Sequence, residues 1–282
     1  MDDKVNRIKE YWNDQAALAR SGSKKMKIID PTRNVFADSS GGGTMKDWRI
    51  RELEINAFVK YLNSLGTNKV LDIGCGNGYA TTQLALRTDC TFIGLDYSSG
   101  MIDNAQTLLS DYYPELIQRI SYIEGDVLDL KSLIDEKFDV VLTQRCLINL
   151  VGWDAQKEAL KQISSILKPD GLFLMLEGSI QGLAKLNEIR NRLGQKDITS
   201  PWHNDFFDEN ELLEFTAKFF ETVTIDNFCS MYMLISRALH PKLVEPEEPK
   251  YDADINDFAL LMPNCGDYGY LKLFVMKNKG QY

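Results

Sequence analysis

The stretch VLDIGCGNGYAT, residues 70 to 81, constrains the fold more than any other part of the chain. An apolar run containing one acid, Asp72, leads into three glycines spaced two apart, Gly74, Gly76 and Gly78. Glycine lets the backbone turn tightly after a strand, and without a Cβ atom the backbone can approach a ligand at the N-terminus of the next helix. The stretch therefore predicts a strand, a tight turn and a helix built around a ligand.

Two other interpretations of these glycines are weaker. A nicotinamide-dependent oxidoreductase needs the third glycine one residue later, where this chain has Tyr79, and has no need of an acid at position 72. A turn that binds nothing is also consistent with a lone glycine pattern. The neighbouring segments decide between them.

Between residues 69 and 178, apolar runs alternate with helical patterns, which indicates βαβ units and a parallel sheet. The runs are KVLDIG, CTFIGLD, ISYIEGD, FDVVLTQ and GLFLMLEG. Each ends in an acid, an amide or a glycine, at the edge where open α/β sheets bind their ligands. Among them Asp96 follows Gly78 by 18 residues, the position of an acid that accepts hydrogen bonds from a ribose.

The remaining segments predict a lid, two insertions and further strands. Residues 1–65 have helical apolar spacing over 3 to 20 and 46 to 65, and we expect them to form a helical N-terminal lid region. Residues 66–282 are expected to form the core, with cap insertions at about 178–205 and 230–268. TVTIDNF and GYLKLFVMKN predict a sixth strand and a terminal one.

Charge and cysteine content argue against several function classes. The formal net charge of -9 gives no basic field for a phosphate backbone, so we expect no nucleic-acid partner. The five cysteines are scattered and lack metal-ligand spacing, which predicts a reducing compartment and no metal site. The apolar stretches are too short to cross a bilayer, and MDDKVNRIKEYW has no signal-peptide core. We therefore expect a soluble cytoplasmic protein with no membrane partner.

Four segments in order resemble the class I S-adenosylmethionine (SAM)-dependent methyltransferases of small-molecule type. VLDIGCGNG is similar to their first motif, IGLDYS to the acid of their second strand, GDVLD to their adenine-contacting acid loop, and LKPDGLFLMLE to the turn into their fifth strand. The resemblance covers residues 69 to 178. It implies an α/β, Rossmann-like, seven-stranded and mostly parallel sheet with an antiparallel last strand, and SAM as the cofactor, with S-adenosylhomocysteine (SAH) as product.

Transferred by position, the resemblance implies contacts to each part of SAM. Asp72 would orient the methionine ammonium directly or through water, Asp96 would hold the ribose, and Asp126 would accept from the adenine amino group. The full predicted set of cofactor-binding residues is Asp72, Gly74, Cys75, Gly76, Asp96, Tyr97, Met101, Asp126, Val127, Gln144, Tyr11, Trp12 and Arg49. Of these, Tyr11 and Trp12 resemble a lid helix, and Arg49 is expected to meet the methionine carboxylate.

A hydroxyl or ammonium acceptor must lose a proton during methyl transfer, so a base is expected on the cap. His203 in SPWHNDFF is the better candidate of two histidines, because an imidazole exchanges protons near neutral pH. Arg145 follows the fourth strand and is a candidate for binding an anionic group. Glu177 ends the fifth strand and is a candidate for accepting from the acceptor's hydroxyl or amine. Two of them have a structural alternative, a hydrogen bond within its own loop for His203 and an ion pair for Arg145.

The sequence thus predicts methyl transfer to an oxygen, or to a nitrogen, of a polar small-molecule metabolite. Analogy favours a sugar-linked or phosphorylated acceptor in bacterial surface-polysaccharide or secondary metabolism, and a monomer or homodimer. The chain has TQRC after the fourth strand, where methyltransferases of nucleic-acid amino groups carry a D/N-P-P-Y/F tetrapeptide. The alternative from another class is a noncatalytic SAM-binding or partner-binding protein.

Overall fold

A computed structural model describes residues 3–20, 27–30, 35–37, 47–66 and 68–280. Its centre is a seven-stranded sheet of strands β3 to β9, and a separate antiparallel hairpin of β1 and β2 precedes it. The strands are β1 (Lys27–Asp30), β2 (Val35–Ala37), β3 (Lys69–Ile73), β4 (Thr91–Asp96), β5 (Ile120–Glu124), β6 (Phe138–Gln144), β7 (Leu167–Gly178), β8 (Phe220–Asp226) and β9 (Leu271–Asn278).

The strand order in the sheet is β5-β4-β3-β6-β7-β9-β8. Strands β3 to β7 pair in parallel, whereas β9 pairs antiparallel with both β7 and β8. The predicted seven-stranded, mostly parallel sheet with an antiparallel last strand is confirmed. The order reverses between β3 and β6, and in open α/β sheets ligands bind in the crevice at such a point, beyond the carboxyl ends of the strands.

Helices cover both faces of the sheet. They are α1 (Asp3–Arg20), α2 (Trp48–Leu65), α3 (Tyr79–Arg87), α4 (Ser99–Tyr112), α5 (Leu130–Leu133), α6 (Trp153–Ile166), α7 (Ile180–Arg192), α8 (Glu209–Thr216), α9 (Ser230–Leu234), α10 (His240–Val244) and α11 (Asp254–Leu261). One core cluster joins the sheet to α2, α3, α4 and α11, and the other joins it to α5, α6 and α8. Strands that are buried on both faces are apolar along almost their whole length, so the five apolar runs in the sequence predict them.

The two helices of the predicted lid region occupy different places. Helix α1 lies on α4, where Ser98 Oγ donates to Asn13 Oδ1 (2.8 Å) and Asn104 Nδ2 donates to the Ala16 carbonyl (3.1 Å). Helix α2 packs on the sheet instead, because Ile55 and Phe58 on its apolar face are fully buried. Helix α1 therefore covers the crevice, whereas α2 belongs to the packed core.

The insertion between β8 and β9 is attached to the start of α2. Asp47 caps α2 by accepting from the Arg49 amide, and the same carboxylate accepts from the Tyr232 hydroxyl at 2.9 Å and pairs with Arg237. A buried carboxylate requires such donors, since an unpaired one costs several kcal/mol. None of the described helices is long and apolar enough to span a membrane.

Candidate functional site

The glycine turn after β3 has a backbone that side chains would not allow. Gly74, Gly76 and Gly78 have φ values of 75, 55 and 75°. The amides of Gly74 and Cys75 both donate to the Leu95 carbonyl, at 2.7 and 3.0 Å, which pins the turn to the end of β4. A Cβ atom built on Gly74 would lie 2.5 Å from Cys146 Sγ. The glycine at this position is thus required both by its φ and by the close approach of Cys146.

Asp96, at the end of β4, joins the turn to the next helix. Its Oδ2 accepts from the Gly76 amide and its Oδ1 from the Ser98 amide, both at 2.9 Å. The carboxyl is almost completely buried, and this burial raises the pKa of Asp96 although both amide bonds oppose the rise. An acidic group so fixed at a sheet edge suits a ligand with hydroxyl donors.

Asp72 lies in β3 directly before the turn and is 1% exposed. Its Oδ2 accepts from the Thr81 hydroxyl at 2.5 Å. Burial, together with the nearby charge of Asp96, raises the pKa of Asp72 to about 7, although the Thr81 bond opposes the rise. The group therefore changes charge near neutral pH.

A cavity of about 360 Å³ opens above the turn. It falls in the volume range of small-molecule sites. Eleven of the predicted residues line it: Gly74, Cys75, Gly76, Asp96, Tyr97, Met101, Gln144, Arg145, His203, Tyr11 and Trp12. The structure thus brings the turn, the ends of β4 and β6, helix α1 and the 201–204 loop around one space.

Arg49 is not among the residues that line the cavity, and the expectation that it meets a methionine carboxylate there is corrected. Its Nε donates to Asp257 and its Nη1 to the Tyr251 carbonyl, each at 2.6 Å, so the guanidinium faces the insertion. Arg51 lines the cavity instead and lies 4.0 Å over the Tyr79 ring. Residues two apart on a helix point about 200° apart. The sequence signal that favours Arg51 is its position four residues before Ile55, on the apolar stripe of α2.

Glu177 also lies outside the cavity lining, and its carboxylate has a structural task. It is fully buried and accepts from the amides of Cys146 (3.1 Å), Leu147 (2.9 Å) and Ile148 (3.3 Å). Burial raises the pKa of Glu177 to about 7 against these three donors. The carboxylate holds the 3₁₀ turn Leu147–Asn149, which carries the cavity residue Asn149.

The remaining predicted residues lie at the outer end of β5. Asp126 is exposed and accepts from the Leu128 amide at 2.9 Å, which caps the short turn Val127–Asp129. Val127 is buried. Asp72, Asp126 and Val127 are therefore near the crevice without lining the cavity as it stands.

Glu54 is a buried group that the sequence did not point to. It is fully buried on α2, where Gln144 Nε2 donates to its Oε2 at 2.5 Å and Arg145 Nε lies 3.0 Å from its Oε1. Burial raises the pKa of Glu54, while the Arg145 charge lowers it. Arg145 has a φ of 53°, which is rare for a residue with a side chain and marks strain at many functional sites. Glu54 thus fixes two consecutive residues at the end of β6.

An aromatic cluster of Tyr11, Trp12, Trp202 and His203 covers the mouth of the cavity. The rings of Tyr11 and His203 stack with centroids 4.9 Å apart, and Trp12 Nε1 donates to Asn149 Oδ1 at 3.2 Å. Burial and the Lys4 charge lower the pKa of His203, so the ring is neutral at neutral pH. Its Nδ1 is buried without a hydrogen-bond partner in the described part of the chain, so stacking orients the ring.

A family model described as a methyltransferase domain matches residues 70–171, which hold the glycine turn, Asp96, Gln144 and Arg145. The likeness to a methyltransferase domain thus holds over residues 70–171. The segment includes the strands that build one wall of the cavity, so the matched sequence and the observed site coincide.

Known proteins extend this likeness beyond the methyltransferase domain. The ubiquinone biosynthesis O-methyltransferase of Bradyrhizobium diazoefficiens is 32% identical over 166 residues, 59% of this chain and 56% of that protein. Magnesium protoporphyrin IX methyltransferase from Synechocystis PCC 6803 with bound SAM has a TM-score of 0.58 at 12% identity, covering 98% of both chains. A [4+2]-cyclase, SpnF, has a TM-score of 0.55 at 14% identity, covering 97% of this chain and 96% of that one.

These comparisons establish the class I methyltransferase fold and no particular substrate. The alignments span between 27% and 66% of the length of the curated relatives. Structural likeness at such low identity is evidence for the fold alone, because one fold hosts many functions. Within the described ranges, no group of three or more His, Cys, Asp or Glu side chains is placed to hold a metal ion.

We predict that Gly74→Ala weakens SAM binding and lowers stability. The added methyl would meet Cys146 at a positive φ, which costs about 1–2 kcal/mol for the backbone and about 1–3 kcal/mol for overpacking. Gly194→Ala is the matched control, since Gly194 has a φ of 77° and nothing within 4 Å of the added atom. Urea unfolding and calorimetric titration with SAM measure both effects. Equal losses in the two variants would contradict the role of close approach at the turn.

Proposed function

We propose that this protein is a SAM-dependent methyltransferase that acts on an oxygen or nitrogen of a polar small molecule. The observation that carries the proposal is the Asp96 carboxylate, held between the Gly76 and Ser98 amides and facing a cavity of about 360 Å³ over the glycine turn. Bound SAM supplies an electrophilic methyl group on a sulfonium. The chain's own residues then have to hold the cofactor, align an acceptor and exclude water.

The side chains around the glycine turn are each suited to one part of SAM. Asp96 has lone pairs left for the two ribose hydroxyls, and Asp72 supplies a negative charge for the methionine ammonium. Arg51, rather than Arg49, lines the cavity and is suited to the methionine carboxylate. Tyr97 and Met101 are assigned to the adenine, with Asp126 and Val127 at its outer edge.

The acceptor side is the wall formed by Arg145, Asn149 and His203. A neutral imidazole is able to take the proton that a hydroxyl or ammonium acceptor loses. Arg145, fixed by Glu54, is suited to an anionic group on the acceptor, such as a phosphate or carboxylate. We accordingly propose a phosphorylated, carboxylated or sugar-linked metabolite of surface-polysaccharide or secondary metabolism as the acceptor.

The proposal extends to the class of acceptor, the cellular location and the oligomeric state. A net charge of -9 disfavours nucleic acid as the acceptor. Scattered cysteines, all free in the structure, suit a reducing compartment, and we propose a cytoplasmic location. We propose a monomer or homodimer.

A SAM-binding protein that transfers no methyl group is the second candidate, because the [4+2]-cyclase SpnF has the same fold under another activity. It predicts acceptor residues turned away from the cavity. Against it, Arg145 and His203 both line the cavity beside the turn. Glu177 alone of the three candidates faces elsewhere, and its three amide bonds account for it.

We predict that the folded protein binds SAM and SAH in calorimetric titrations, and that Asp96→Ala weakens both by about 10- to 100-fold. Loss of a charged hydrogen-bonding group costs about 1.5–3 kcal/mol. Asp111→Ala removes an exposed acid of α4 and serves as control. No binding by the folded wild type, or full affinity in Asp96→Ala, would refute the proposed function.

We predict that His203→Asn lowers kcat by about 100-fold or more, as expected on loss of a general base, without changing SAM affinity. The neutral ring is the active form and its pKa is lowered, so the acid limb of the kcat profile should lie below 6.5. The acceptor comes from a screen of phosphorylated and carboxylated metabolites that records SAH release. His240→Asn changes the other histidine, outside the cavity, and should keep the limb. A wild-type limb that His203→Asn retains would argue against the base.

A further inference from the structure

The buried carboxylates around the crevice differ in how many donors they have. Asp96 accepts two backbone amides, Glu177 accepts three, and Glu54 accepts from Gln144 and faces Arg145. Asp72 has one hydrogen-bond donor among the described residues, the Thr81 hydroxyl on its Oδ2. A buried carboxylate with one donor is stable as an anion only when a cation joins it.

Thr81 is placed by the helix that the glycine turn starts. It is the third residue of α3 and is fully buried, so its hydroxyl meets the β3 acid across nine residues of chain. This position on α3 brings the Thr81 hydroxyl to the Asp72 carboxylate, to which it donates at 2.5 Å. The bond leaves the second oxygen of Asp72 to a ligand.

We propose that Thr81 is a positioning residue for the cofactor: its hydroxyl orients the Asp72 carboxylate so that Oδ1 receives the methionine ammonium of SAM or SAH, and binding displaces a proton from Asp72. The proposal rests on the proposed function, since it assumes that the cavity holds this cofactor. Thr81 itself touches no ligand and acts through Asp72.

The charges around Asp72 favour the protonated form in the unliganded protein. The ionisable groups that face it are the Asp96 carboxyl, the Cys75 and Cys146 thiols and the Tyr122 phenol, from β4, the turn, the end of β6 and β5. All four are acids, so none of them supplies the positive charge that an ionised Asp72 needs. Burial correspondingly raises the pKa of Asp72 to about 7.

The arriving ammonium reverses this balance. An opposite charge close to a carboxyl favours its ionised form, so the proton leaves Asp72 for the buffer as the ligand binds. Because the pKa of Asp72 is raised to about 7, part of a proton should be released per ligand at pH 7. Without the Thr81 bond, a larger fraction of Asp72 is protonated before binding. The number of protons released per ligand therefore rises, and the affinity for the ligand falls.

The test is calorimetric titration of the full chain with SAH at pH 7.0, in phosphate, PIPES and imidazole buffers. The dependence of the observed enthalpy on the buffer's ionisation enthalpy counts the protons released. The variants are Thr81→Val, Thr81→Ser and Asp72→Asn. Thr88→Val is the control, because Thr88 lies at the other end of α3 and its buried hydroxyl donates to the Leu84 carbonyl.

We expect the same partial proton release for the wild type, Thr81→Ser and Thr88→Val. Thr81→Val should release close to a whole proton and bind about tenfold more weakly, as expected on loss of one hydrogen bond to a charged group. Asp72→Asn should release almost none. Melting curves establish that each variant is folded. If Thr81→Val is not folded, the affinities and proton counts of Thr81→Ser and Asp72→Asn are compared instead.

Two results would overturn the inference while leaving the proposed function intact. One is SAH binding in which Thr81→Val matches the wild type in affinity and proton count. The other is proton release that persists in Asp72→Asn, which would place its source elsewhere. No SAH binding by the folded wild type would instead refute the proposed function itself.

Discussion

The site depends on one carboxylate, that of Asp96, which accepts from two backbone amides, those of Gly76 and Ser98, on either side of β4. The Gly76 amide belongs to the turn after β3 and the Ser98 amide to the start of α4. With the Leu95 carbonyl, which accepts from Gly74 and Cys75, the end of β4 fixes the shape of the turn from the neighbouring strand. A turn of three glycines has high conformational entropy when free, so this external fixation makes it a preformed surface for a ligand.

The crevice concentrates buried acids, and their donors explain their different tasks. Glu177 is saturated by the amides of the turn that carries Asn149, and Glu54 is occupied by Gln144 and Arg145. Both therefore hold other residues in place. Asp72, directly beneath the turn, has the fewest hydrogen-bond donors of these acids among the described residues. A cationic ligand beside Asp72 would remove the energetic cost of its burial, because it would supply a charge partner.

Much of the fold was predictable because it rests on local patterns. The runs that form β3 to β7 are apolar along their length, since both sheet faces are covered. Asp96 was predictable from its distance to the glycines alone. The 3.6-residue period would also have favoured Arg51 over Arg49, since Arg51 shares the buried face of α2 with Ile55.

Other features depend on contacts that no local pattern records. Glu54 acquires its task only when α2 crosses the end of β6, 90 residues later in the chain. Glu177 resembled an acceptor ligand at a strand end, and its amide partners come from a turn about 30 residues earlier. The β1–β2 hairpin was not predicted, because strands of four and three residues are too short to show a period. The sequence thus predicted the crevice and most of the residues that line it. That Glu54 and Glu177 hold other residues in place was visible only in the fold.

The central claim is that the crevice above the glycine turn binds SAM through this chain's own residues. The most direct measurement is a crystal structure of the protein with SAH. The account predicts the ribose on Asp96, the methionine ammonium toward Asp72, and the sulfur facing the wall of Arg145, Asn149 and His203. SAH bound elsewhere, or in this cavity with its sulfur turned away from that wall, would contradict the account.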